Sequence, residues 1–145
     1  MSWTSEMVVS KLYEAVDTTE QLDEQRVEQW LEVLRRRPGD EAFNALIGVF
    51  CNAARPGSRY LDQEYAGRLL LALKPPSPLD VQAVIKRILP TWNLSVEQLP
   101  WYFEEVIGRE PVLQALDLLR MQVCSEQEQR ANETFRFWLR ARRSR

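Results

Sequence analysis

A chain of 145 residues with 45% apolar and 28% charged side chains reads as one globular domain, and it contains no histidine. Histidine is the usual general base near neutral pH, the usual partner of a Ser or Cys nucleophile and the commonest metal ligand. Its absence excludes the ordinary triads, HExxH metalloproteases and Cys/His zinc sites. The net charge of −2 and a pI near 5.3 run against a general nucleic-acid binder, whose footprint is basic.

Residues 1–13 lack the basic start and apolar run of a signal peptide. No segment approaches the roughly 18 consecutive apolar residues that a membrane span needs. The expectation is a soluble, cytoplasmic protein. Cys51 and Cys124 lie far apart without CxxC spacing and read as buried free thiols.

Helical periodicity begins at once, with Val8, Val9, Leu12, Tyr13 and Val16 on one stripe. A second helix follows Thr18, with Val27, Trp30, Leu31 and Leu34 facing in and Glu24, Glu28, Glu32 and Arg35 facing out. Pro38-Gly39-Asp40 stops it and offers Asp40 as the next N-cap. Residues 41–54 are apolar nearly all round, the mark of a central helix. After Arg55-Pro56-Gly57-Ser58, a fourth helix turns Leu61, Tyr65, Leu69, Leu70 and Leu73 inward.

Ser77-Pro78-Leu79-Asp80 reads as a capping box: serine caps, proline takes the first helical position, and an acid follows three residues after the cap. Val81, Val84, Ile85 and Ile88 form the stripe behind it, and Pro90 ends that helix. Pro100 is expected to restart the chain as a helix. Gly108 supplies a C-cap, and Pro111 opens a helix with Val112, Leu113, Leu116 and Leu119 inward. Ser125 and Glu128 form a last capping box before Ala131, Phe135, Trp138 and Leu139.

The fold class is therefore all-α: about eight short helices packed as antiparallel hairpins in a single domain over residues 1–145, with a basic end at 136–145. Two arrangements fit, a compact bundle or a short helical-repeat-like stack. Val81-Gln82-Ala83-Val84 is echoed 32 residues later by Leu113-Gln114-Ala115-Leu116, a spacing typical of solenoid units. Gly48 and Gly67 lie within helices, where the missing side chain permits close helix crossings.

The glycines do not cluster before a lysine, so no phosphate loop is present. A helix-turn-helix over residues 85–106 would carry Glu97, Glu104 and Glu105 where base-reading cations belong. Glu104 and Glu105 diverge as neighbours on a helix and cannot serve one site unaided. The sequence thus names no catalytic residue, cofactor or metal, and the protein is not expected to be an enzyme.

Two features remain as candidate sites. Trp92, Trp101, Tyr102 and Phe103 are the densest aromatic cluster, and a helix cannot bury three consecutive residues on one face. Trp and Tyr are favoured interface anchors, so this segment is the candidate partner-binding site. Arg140, Arg142 and Arg143 lead the basic end, a candidate phosphate-binding site. Cations there also suit a helix C-terminus, or pairing with the acidic N-terminal third. The expected function is a protein–protein interaction module: an adaptor, regulatory subunit or inhibitor. Its alternatives are a nucleic-acid or anionic-membrane accessory docking through the arginines, and a carboxylate- and metal-dependent enzyme.

Overall fold

The computed structural model describes residues 3–18, 24–77, 80–122 and 124–143, and the regular structure among them is entirely helical. Eight α-helices follow one another: α1 (Ser5–Asp17), α2 (Glu24–Arg35), α3 (Gly39–Cys51), α4 (Arg59–Leu73), α5 (Val81–Ile88), α6 (Gln98–Val106), α7 (Arg109–Arg120) and α8 (Glu126–Arg143). A 3-10 turn, Pro56–Ser58, leads into α4.

The helices pack in two layers. In one, α1 rests on α3, α3 on α5, and α5 on α7; in the other, α2 rests on α4, α4 on α6, and α6 on α8. Helices within a layer share direction. Ser5 reaches Glu41 near the starts of α1 and α3, and Tyr13 reaches Asn52 near their ends. Successive helices reverse: in the last hairpin Arg109 meets the Leu139 carbonyl while Asn132 meets that of Leu116. The 32-residue echo falls on α5 and α7, neighbours in one layer, where Val84 and Leu116 are both buried.

Local chemistry sets most boundaries. Thr4 Oγ1 accepts from the Met7 N–H at 3.2 Å and starts α1. Ser125 Oγ accepts from the Glu128 N–H at 3.1 Å, and the Glu128 carboxylate returns to Ser125, completing the expected box. Two caps differ from expectation. Asp80, rather than Ser77, caps α5, its carboxylate accepting from Ala83 N at 3.0 Å; Pro78 and Leu79 lie outside the described residues. Pro38 precedes α3, and Asp40 sits inside the first turn with its carboxylate on the Glu41 N–H. α3 also ends at Cys51, before the expected residue 54. Gly108 closes α6 at φ +108°, donating to the Glu104 and Phe103 carbonyls.

Phe43, Phe50, Tyr102, Phe103 and Phe135 are fully buried at the centre, each contributing about 1.5–3 kcal/mol of transfer free energy. The Phe43 and Tyr102 rings lie 6.2 Å apart, which ties the two layers together. Gly67 is a true crossing point: a Cβ there would sit 3.0 Å from Gln98 Cβ and 3.3 Å from Val96 Cγ1. Gly48 is not, for nothing lies within 4 Å of its would-be Cβ.

The inward face of α4 departs from the expected stripe. Leu61 is exposed, whereas Asp62 and Gln63 are buried. Arg55 grips Asp62 with Nε at 2.8 Å and Asp17 with Nη2 at 2.7 Å, which neutralises the buried carboxylate. Gln63 donates to the Thr91 carbonyl and accepts from Asn93 N–H, fastening α4 to the α5–α6 connection. Burial of a polar pair on this helix is tolerated because each group has partners. Cys51 and Cys124 are free and half-buried rather than buried.

Candidate functional site

In α6 each residue turns about 100° from the last, so Trp101, Tyr102 and Phe103 cannot share a face. Leu99, Tyr102 and Phe103 are buried, and Trp101 is left half-buried at the edge of the core. Pro100 stands in the first turn, where the helix does not require its N–H.

Three of the four expected anchors therefore belong to the core. Tyr102 donates its hydroxyl to the Pro75 carbonyl, and burial pushes its ionisation above the usual phenol value. Phe103 meets Tyr102 edge-on at 5.2 Å. Trp92 meets Phe135 edge-on at 5.4 Å and donates its indole N–H to the Val96 carbonyl. Such residues anchor the interior and offer no surface to a partner.

Trp101 is different, and α8 explains why. The two helices run side by side in the same direction. The Trp101 indole N–H donates to the Trp138 carbonyl at 3.3 Å; one turn later Arg142 Nη1 donates to the Trp101 carbonyl at 3.2 Å. Trp138 in turn donates its indole N–H to the Leu94 carbonyl at 2.8 Å. Phe137 stands edge-on to Trp138 at 5.2 Å and is 51% exposed. Trp138, Phe137 and Trp101 thus form an aromatic strip over the seam of α6 and α8, with Leu94 at its edge. Beside it, Leu94, Glu126, Gln127 and Arg130 line an open groove of about 380 Å³.

The arginines of α8 are drawn into this seam. Arg142 lies over the Trp101 ring, 5.1 Å from its centroid, and pairs with Glu105. Glu105 also meets Lys74 at 3.0 Å, and hydrogen bonds from Lys74 and Arg142 hold its carboxyl below the usual range. Arg136 pairs with Asp117 at 2.6 Å and Asn132 at 2.9 Å. Pairing with the acidic N-terminal third, one of the alternatives for this end, is not what engages these two arginines: the carboxylates they meet, Glu105 and Asp117, are on α6 and α7. Arg140 is exposed on the same helix. The side chain of Arg143 lies outside the described residues, as do positions 144–145.

The two regions singled out in the sequence therefore meet, with Trp101 and Arg142 in direct contact. Sequence reasoning missed Phe137 and Trp138 as site residues, although the Phe-Trp dipeptide in an Arg-rich helix was the available signal. It also missed the Arg55–Asp62 pair, for which no local signal exists.

Among the described residues no group of three or more Cys, Asp or Glu side chains is placed to hold a metal ion. No helix among them is long and apolar enough to cross a membrane. No protein-family model, curated protein or solved structure matches the chain.

Proposed function

We propose that this protein is a non-catalytic protein–protein interaction module whose partner docks on the aromatic strip along α6 and α8. The observation that carries the reading is Phe137, a large aromatic half in solvent yet held in place by Trp138. Interface hot spots are enriched in Trp, Tyr and Arg, and this strip combines two tryptophans with an arginine stacked on one of them. The backbone hydrogen bonds of Trp101 and Trp138 support a preorganised surface, which lowers the entropic cost of docking. An adaptor, a regulatory subunit and an inhibitor all use such a surface.

The nucleic-acid or anionic-membrane alternative through Arg140, Arg142 and Arg143 draws less support, because Arg142 is already engaged by Glu105 and the Trp101 face. Tagged protein captured from lysate of its source organism, with nuclease and at moderate salt, tests both. A stoichiometric protein lost with Phe137→Ser or Trp101→Ala, but retained by the folded Leu118→Ser control, is the expected result. Co-purifying nucleic acid or lipid that disappears as salt rises would transfer the function to the arginines.

A further inference from the structure

The outward face of α8 carries one straight stripe. Glu126, Arg130, Glu133 and Phe137 follow at helical spacing, and at 100° per residue they fall within roughly 60° of one another. All four are exposed.

The two ends of the stripe have complementary shapes. At one end Phe137 projects, 51% exposed and set edge-on against Trp138. At the other, Glu126 and Arg130 join Leu94 and Gln127 around the open groove of about 380 Å³. Gln127 donates its amide to the Pro90 carbonyl at 2.9 Å, which fixes that wall. The groove cannot take the Phe137 of its own chain, because a rise of 1.5 Å per residue sets the ring about 10 Å along α8 from Arg130.

Between the ends stand two opposite charges. Arg130 and Glu133 have no ion-pair partner among the described residues, whereas Arg136 and Arg142 of the same helix are paired. A two-fold axis reverses the order of residues along a helix. With the axis level with the midpoint of Ala131 and Asn132, position 130 of one copy faces position 133 of the other. The same midpoint sets position 137 opposite position 126. One rotation therefore brings opposite charges together twice and puts each exposed ring at the other copy's groove.

We infer that this protein forms an isologous dimer through the outward face of α8, in which Phe137 of each copy fills the groove of the other and Arg130 pairs with Glu133 across the axis. The inference rests on the reading of the α6–α8 strip as a docking surface and names its occupant, a second copy of this chain. One helix against one helix is a small interface, which suits a micromolar association.

Sedimentation velocity of the full chain over about 1–100 µM reads that association directly. The sedimentation coefficient is expected to rise with concentration toward that of a dimer, and Phe137→Ser to stay monomeric with unchanged helical circular dichroism. Arg130→Glu and Glu133→Arg each set like charges across the axis and should weaken self-association about tenfold. An equimolar mixture of these two variants restores opposite charges at both contacts and should associate as the wild type does. Rescue of this kind requires direct contact and is not produced by a loosened fold. A wild-type chain that remains monomeric at the highest concentration overturns the inference. So does a Phe137→Ser variant that dimerises like the wild type, or a mixture no tighter than its components. A monomeric chain whose lysate partner is still lost with Phe137→Ser overturns the dimer alone and leaves the docking reading with another occupant.

Discussion

The guanidinium of Arg142 stacks 5.1 Å from the Trp101 ring centroid while donating to the Trp101 carbonyl at 3.2 Å. This relationship spans 41 positions of sequence and fastens the final turns of α8 to α6. It also covers one face of Trp101 and leaves the adjoining Phe137–Trp138 edge to solvent.

Arg142→Lys is expected to loosen that end without unfolding the domain. Lysine retains the charge but loses the planar fork that serves the ring, the carbonyl and Glu105 together. The cost is about 1 kcal/mol, the range of a surface cation–π contact and a partly exposed ion pair. Amide hydrogen exchange should show it as faster exchange confined to the turns of α8 beyond Leu139.

Arg55 carries the larger stake. Asp62 is nearly sealed, its side chain 4% exposed, and Arg55 is its ion-pair partner. Arg55→Met leaves a buried carboxylate uncompensated, a change that costs about 3–5 kcal/mol. Arg55→Met/Asp62→Leu removes the buried charge as well and should recover much of that loss. Urea unfolding of the two variants reads the difference directly; equal destabilisation would contradict the buried-charge account.

Two glycines in neighbouring helices should respond with opposite signs. Gly48→Ala enters open space and gains helix propensity, worth up to about 1 kcal/mol. Gly67→Ala presses a methyl against Gln98 Cβ at 3.0 Å and Val96 Cγ1 at 3.3 Å, in a crossing where overpacking costs about 1–3 kcal/mol. Thermal midpoints should therefore rise for the first variant and fall for the second.

Acid stability should depend on Glu41. Its carboxylate accepts two hydrogen bonds from Arg37, at 2.7 and 2.8 Å, and one from the Ser5 hydroxyl. These hold its pKa at about 2 against an ordinary 4.5. A depressed folded-state pKa contributes stability that is complete above the unfolded value and is lost as pH falls toward the folded one. Glu41→Gln is thus expected to flatten the loss of stability between about pH 4.5 and 2 and to lower stability near neutrality, as followed by circular dichroism.

Much of this architecture is legible along the chain because helix formation is local. The stripe Val8, Leu12, Val16 and the box of Ser125 and Glu128 involve residues three or four apart, so they need no knowledge of the rest of the fold. The absence of histidine is equally independent of folding. What the sequence could not decide is which side of each helix finds a neighbour. Leu61 was the natural inward residue of α4, yet the Arg55 guanidinium and the α5–α6 connection drew Asp62 and Gln63 inside. Three consecutive aromatics required one to face outward, but only the path of α8 made it Trp101 and placed Phe137 beside it. Local spacing fixes periodicity and caps; side-chain burial and charge pairing between helices depend on contacts separated by tens of residues, and those exist only after the chain has packed.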